Sequence, residues 1–304
     1  MWVCKSNLLA GRAMTLVCDA PKGRTIDKGQ STKGELEAMP RINRSDAEQS
    51  VADNAGPEFL EALARGLRVI QSFDRDRRQL SLSDVAKQVD LPRASVRRTL
   101  HTLVQLGFAE TDGKLFRLTP RVLTLAGAYL LSNPTASILQ PALERLSAEI
   151  NASCSAAVPD GDDVVMIVHA SPARILPLSA QVGLRLPAFA SSLGRIILAN
   201  ADDAELDAFL ARIRPQKLTD QTVIDKKQLR RSILKARADG FSLVDQEVEV
   251  GFRSISVALK RLDGKTIAAL NIGVHTERGT PAMMKQAFLP KLRSLADELQ
   301  QQLI

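Results

Sequence analysis

The stretch LSLSDVAKQVDLPRASVRRTLHTLVQLGFAETDGKLFRL, Leu80 to Leu118, decides the fold of the N-terminal half. Ser83 is read as the N-cap of a short helix that carries Val85, Ala86 and Val89 inward. Leu91-Pro92 breaks that helix, because proline disfavours helix in the residue before it and suits a first turn. A third helix therefore runs from Pro92 to Leu106, with Val96, Leu100, Leu103 and Leu106 as its inward stripe. Gly107 ends it as a left-handed C′ residue. Apolar strand formers then flank Asp112-Gly113, a two-residue hairpin signal. Upstream, Phe59, Leu60, Leu63, Leu67, Ile70 and Phe73 recur at three- and four-residue spacing and give a first helix with one apolar face. Helix, helix, helix, hairpin is the order of a winged helix-turn-helix.

Outward from this core, Thr119-Pro120 caps a linker helix whose Leu123, Ala126, Tyr129 and Leu130 share a face. Beyond it, a helix is predicted from about Ile138 to Ile150, with strands near Ser153–Val158 and Val164–His169 and a strand-like ILPLSAQV. Helices follow at Ser192–Asn200, Ala204–Ile213 and Lys226–Ala238, the last stopped by Gly240. Strands Ser254–Lys260 and Thr266–Val274 flank Asp263-Gly264, and a C-terminal helix begins near Ala282. The fold class expected is α+β: an N-terminal winged helix-turn-helix joined by a linker helix to a second domain built on an antiparallel sheet. The domain division read from these signals is 1–56 as a disordered extension, 57–118 as the winged helix, 119–136 as the linker helix and 137–304 as the second domain. Residues 20–56 are polar and lack apolar periodicity, which is the basis of the first assignment. An alternative is that the natural chain starts at Met39.

Composition sets the class. The chain has 304 residues, 45% of them hydrophobic and 25% charged. That length exceeds one ordinary core and favours two domains. No run of about 18 apolar residues is present to span a membrane. Arg12 interrupts the apolar start, and Leu16-Val17 puts no small residue before Cys18, so the reading is a cytoplasmic protein rather than a secreted one. Cys4, Cys18 and Cys154 have neither CxxC spacing nor clustered histidines, so no zinc, other metal, cofactor or disulfide framework is expected. The net charge of +7 and pI of 9.5 permit an anionic partner. Residues 57–132 hold twelve Lys and Arg against eight Asp and Glu, the densest excess in the chain.

That excess sits where DNA would be read. Arg93, Ser95, Arg97 and Arg98 lie early in the third helix, the part of a helix-turn-helix that reaches base edges, and arginine pairs bidentately with guanine. His101 and Thr102 lie a turn later and are assigned to phosphate. Lys114 and Arg117 are carried by the hairpin, and Ser83 is grouped with these DNA-contacting residues. In the second domain, Ser191 and Ser192 precede a helix whose free N–H groups favour an anion such as a carboxylate.

The segments LARGLRVIQSF, LSLSDVAKQVDLPRASVRRTLHTLVQLGF and LTPRVLTLAGAYL resemble the IclR family of bacterial transcription regulators, over about Phe59 to the C-terminus. Arg97-Arg98, the PRVL segment and LPAFASSLGR are most similar to its PcaR/PcaU/PobR branch, whose members control catabolism of protocatechuate, 4-hydroxybenzoate and β-ketoadipate. The resemblance implies a GAF-like second domain that binds a small organic acid, aromatic or dicarboxylic, and a homodimer or tetramer on double-stranded promoter DNA. It places Ser192, Leu193 and Gly194 in the ligand loop and Asp245, Ser254, Asn271 and Gly273 on the pocket wall. Ser254 stands where some members have cysteine, and Asn271 and Gly273 where some have serines. Arg174, Arg185, Arg195 and Arg253 are the cations near these segments, and spacing does not choose among them. Two other classes stay open. An enzyme is disfavoured by scattered His101, His169 and His275 and by the lack of P-loop, GxSxG or GxGxxG motifs. A second domain that only oligomerises would bind no acid.

Overall fold

The computed structural model describes residues 56–74, 76–172 and 181–303. The extension assigned to residues 1–56 falls, but for Gly56, outside the described residues, as does most of the ILPLSAQV segment.

Helix α1 is Glu61–Gln71, α2 is Leu82–Val89 and α3 is Arg93–Gln105. Strands β2, Ala109–Thr111, and β3, Leu115–Leu118, form the hairpin, and a two-residue β1, Leu80–Ser81, adds to β3 in the order β1-β3-β2. Val69, Leu80, Val85, Ala86, Val96, Leu100, Leu103 and Ala109 make one small core.

Four local expectations are corrected. The N-cap of α2 is Ser81, in a reciprocal capping box with Asp84, and Ser83 is an exposed residue of the first turn. The SxxD pattern two residues earlier satisfies two backbone donors at once, which a lone Ser83 does not. The register places Gly113-Lys114 at the centre of the hairpin turn, because Thr111 faces Phe116 and Asp112 faces Leu115. Gly113 supplies the positive φ of 97°, while Asp112 Oδ1 accepts the Lys114 and Leu115 N–H groups. Leu106 is 52% exposed, as the C-cap beyond the last inward turn. Most far-reaching, the α1 stripe does not all face inward. Val69 is buried and Ile70 and Phe73 are half-buried, whereas Leu60, Leu63 and Leu67 lie 72, 61 and 47% exposed.

The end of α3 follows the sequence signal. Gly107 has φ 76°, its N–H reaches the Val104 carbonyl and the Phe108 N–H reaches that of Leu103. These two bonds are the Schellman closure that a C′ glycine permits.

Thr119 accepts the Arg121 N–H and starts a 3-10 turn, Pro120–Val122, that runs into α4, Leu123–Ser132. Asn133 then caps α5, Pro134–Ile150, so the two helices are separated by one residue. The Asn-Pro pair, cap and first position, starts α5 a turn before the predicted Ile138.

The second domain is a six-stranded antiparallel sheet in the order β6-β5-β4-β9-β8-β7. Its strands are β4, Ser153–Asp160; β5, Asp163–Ala170; β6, Arg185–Pro187; β7, Ser242–Asp245; β8, Phe252–Lys260; and β9, Thr266–His275. The short β6 and β7 had no sequence signal and complete the two edges. Alternation gives the sheet two faces. One packs Cys154, Ala156, Ile255, Val257, Leu270 and Ile272 against α5 and the C-terminal helix α9, Leu289–Gln300. The other packs Ala157, Val164 and Ala269 near α6, Ser192–Ala199; α7, Asp203–Arg212; and α8, Lys226–Asp239. Gly240, at φ 71°, stops α8.

Gly194 sets how closely α6 approaches the chain before it. A Cβ there would lie 2.2 Å from the Ala188 Cα, a backbone atom that no side-chain rotation can move aside. Gly194→Ala is therefore expected to lower stability by about 3 kcal/mol, read as a reduced urea midpoint. An unchanged midpoint would contradict the close approach.

Candidate functional site

The structure brings the sequence-selected residues into two clusters. In α3, Val96, Leu100 and Leu103 turn inward, which leaves Arg93, Arg97, Arg98, His101 and Thr102 exposed and Ser95 half-buried. Pro92 is the N-cap and no side chain closes this end, so the first turn keeps free N–H donors beside three guanidiniums. None of Arg93, Arg97 and Arg98 forms an ion pair with another described residue. The left-handed Asp90, φ 50°, makes the turn between α2 and α3. Lys114 stands exposed at the hairpin tip. Arg117 is held by Glu110, and the Thr102 hydroxyl donates to the Arg98 carbonyl at 3.0 Å, so these two are partly committed within the protein.

The second cluster lies on the α6 face of the sheet. Ser191 is the N-cap of α6 and its Oγ accepts the Gly194 N–H at 3.0 Å. Ser192, the first helical residue, is free for other work. Its Oγ accepts from Ser256 Oγ at 2.8 Å and from Asn271 Nδ2 at 2.9 Å, and lies 2.7 Å from Ser254 Oγ. With two donors already received, the Ser192 proton goes to Ser254. The Ser254 proton then has no acceptor among the described residues. Ser192 and Leu193 also begin a helix, and their N–H groups have no intrahelical acceptor. Donors from two elements thus converge where α6 meets β8 and β9, without a formal charge. That arrangement suits a carboxylate bound by neutral hydrogen bonds and a helix N-terminus.

Ser256 was missed by the sequence reading. It pairs in register with Asn271, and the alternation Ser254-Ile-Ser256 in β8 was the signal for it. Asp245 is corrected. It is paired in register with Arg253, on the opposite face from Ser254 and Ser256, and its carboxylate accepts from Arg253 at 2.8 Å. One residue along a strand reverses the face. Gly273 lies on the correct face, but a Cβ there would meet the Phe252 ring at 2.3 Å, so its space is taken by that ring.

The candidate cations are engaged elsewhere. Arg185 pairs with Asp160 and Asp163 at the β5 edge, and Arg253 with Asp245 and the Gly279 carbonyl. Arg195 is 4% exposed and makes a bidentate pair with Glu247, at 2.7 and 2.6 Å, while its Nε donates to the Phe189 carbonyl. Glu247 also accepts the Val223 N–H at 2.9 Å. Arg195 therefore anchors α6 rather than offering a free guanidinium. Arg174 lies outside the described residues. Cys154 is buried, which pushes its thiol up to about 12 and keeps it protonated at neutral pH.

Comparison with known proteins identifies the family. Residues 62–113 match the IclR helix-turn-helix domain and residues 127–301 the bacterial transcriptional regulator IclR C-terminal domain. The chain is 41% identical to the Pca regulon regulatory protein of Pseudomonas putida over 265 residues, 87% of this chain and 91% of that one. Among solved structures, a transcriptional regulator of Rhodococcus sp. RHA1 superposes with TM-score 0.71 at 40% identity, covering 81% of this chain and 98% of the other. An IclR homologue of Microbacterium hydrocarbonoxydans, crystallised with 4-hydroxybenzoate, superposes with TM-score 0.67 at 26% identity, covering 80% and 98%. The chain belongs to the IclR family of bacterial transcription regulators, in its PcaR/PobR branch.

Proposed function

We propose that this chain is a regulator, not an enzyme, that binds promoter DNA through α3 and controls genes of aromatic-acid catabolism in response to a small organic acid. The observation that carries the reading is the combination of three arginines, without ion-pair partners among the described residues, at an open helix start with a neutral donor cluster in a separate core. The regulon named for the Pseudomonas putida relative and the 4-hydroxybenzoate in the Microbacterium structure point to the same acid class.

Arg93, Ser95, Arg97 and Arg98 are assigned to base edges, His101, Thr102 and Lys114 to phosphate, with Arg117 and Ser83 at the margin of the interface. Ser191, Ser192, Leu193, Gly194, Ser254 and Asn271 frame the acid site, and Ser256 joins them. The domain division proposed is 57–118 for DNA, 119–136 for the linker and 137–304 for the acid. The protein works in the cytoplasm, and no single described helix is long and apolar enough to cross a membrane.

A homo-oligomer is supported by apolar surface left uncovered. Leu60, Leu63 and Leu67 on α1 are exposed, and so are Leu123, Leu125, Tyr129 and Leu131 on α4. A patch of that kind on a soluble chain marks an interaction site. A two-fold assembly would present two α3 helices to half-sites of one operator.

Three outcomes are expected. Arg97→Ala with Arg98→Ala should abolish a DNase footprint on the chain's own promoter region, since each lost arginine–guanine pair costs about 1–3 kcal/mol; a footprint of unchanged strength would move the reading helix elsewhere. With 4-hydroxybenzoate at a hundred times its Kd, unfolding should shift up by roughly 2.7 kcal/mol of stabilisation. Ser192→Ala should remove that shift, and an equal shift in the variant would displace the site from α6. Leu63→Glu with Leu67→Glu should reduce the sedimenting mass by at least half at micromolar concentration, whereas an unaltered assembly would show that α1 is not the interface.

A further inference from the structure

The α6 face of the sheet holds polar side chains that the acid site does not use, His169 among them. His169 on β5 faces Ser155 on β4, and Ser155 faces Asn271 on β9. Register partners share a face, so His169, Ser155, Asn271 and Ser256 form one row across four strands. His169 and Asn271 are separated by two strand spacings, about 10 Å. The row runs from the donor cluster under α6 to the imidazole.

The state of that imidazole follows from its partner. Ser155 Oγ lies 3.1 Å from His169 Nδ1 and is 3% exposed. Nε2 is closed to solvent and has no hydrogen-bond partner among the described residues. If Nδ1 carried the proton, both the buried Ser155 hydroxyl proton and Nε2 would be left unmatched. If Ser155 donates to Nδ1, only the Nε2–H is left, and this is the cheaper arrangement because each unmatched buried polar group costs free energy. Burial also holds the imidazole below its ordinary pKa, so the ring is neutral at pH 7. A neutral N–H donor without an acceptor among the described residues is therefore held at the far end of the row.

The geometry points to His169 as the second anchor of the acid site: its Nε2–H donates to an oxygen at the far end of a bound acid whose carboxylate rests on Ser192, Ser254 and the start of α6. The assignment rests on the effector reading above and deepens it. The site then selects elongated acids with an oxygen acceptor at both ends, and binds poorly the same skeleton with an apolar far end. Ser155 acts as a positioning residue, because it fixes the tautomer without reaching the ligand.

The test uses the full chain and two matched pairs of acids, 4-hydroxybenzoate with benzoate and adipate with hexanoate, titrated by calorimetry. Wild-type protein is expected to prefer the two-ended member of at least one pair about tenfold. His169→Phe should erase that preference while leaving the Kd for the one-ended acid within about twofold. His169→Gln, whose amide can supply a donor in place of Nε2–H, should recover most of the preference and controls for misfolding. A preference that survives His169→Phe, or a wild-type protein that binds both members of each pair equally, overturns the assignment and leaves the effector reading standing. Binding of none of the four acids by protein that still footprints its promoter overturns the effector reading and this assignment together.

Discussion

A guanidinium and a carboxylate buried side by side, Arg195 and Glu247, hold α6 in place in the second domain. Each is less than a tenth exposed, and taking two charges out of water costs several kcal/mol per ion unless every lone pair and proton is matched. Here the matching is close to complete. Both terminal nitrogens of Arg195 meet Glu247, its Nε meets the Phe189 carbonyl, and Glu247 takes the Val223 N–H. The Glu247 carbonyl further accepts from Thr222 at 2.7 Å. Three segments, 187–195 with the start of α6, 219–223 and 246–247, are thereby tied to one ion pair. Such a pair adds little net stability over an apolar substitute, but it admits one geometry and penalises the rest. What it fixes is the position of Ser192, three residues before Arg195, over Ser254, Ser256 and Asn271.

That precision matters because the donor cluster is built from short side chains. Ser, Ser, Ser and Asn reach each other only if α6 sits close to the sheet, and Gly194 against Ala188 allows it to. The sheet divides its labour by alternation. One face is an apolar layer packed against α5 and α9, and the other carries the polar row. In the site proposed above, neutral donors would recognise an anion without a buried counter-charge, and so avoid desolvating a free arginine.

Much of this was legible in the sequence because periodicity and punctuation are local. The α2–turn–α3 unit, Gly107, Gly240 and the strands around Asp263-Gly264 all follow from spacing and positive-φ residues. Where the reading failed, the deciding fact was not local. Asp245 and Ser254 were selected together, but the register of β7 on β8 places Asp245 beside Arg253 on the other face, and only pairing reveals that. Leu60, Leu63 and Leu67 have the spacing of a core stripe, yet the core of 57–118 is small and is filled by Val69 with residues from α2 and α3. Periodicity reports an apolar face without saying what covers it. His169 looked like one of three scattered histidines, because its link to Ser155 and Asn271 runs across strands 14 and 102 residues apart in its numbering.

Charge shows the same limit, and resolves it in a way that bears on function. The excess of cations in residues 57–132 suggested an anionic partner, but a count does not separate paired from unpaired groups. In the second domain Arg145, Arg185, Arg195, Arg212, Arg230, Arg237, Arg253, Arg261 and Lys291 each meet a carboxylate. On α3, Arg93, Arg97 and Arg98 meet none among the described residues. Cations that neutralise phosphates release the counterions condensed on DNA, and a cation already paired with a carboxylate has less charge to offer, so Arg93, Arg97 and Arg98 are the available ones on α3. An arginine cluster without carboxylate partners among the described residues is the charge distribution that the reading helix proposed above requires. In the second domain the two buried arginines among the described residues, Arg195 and Arg253, are both engaged with carboxylates.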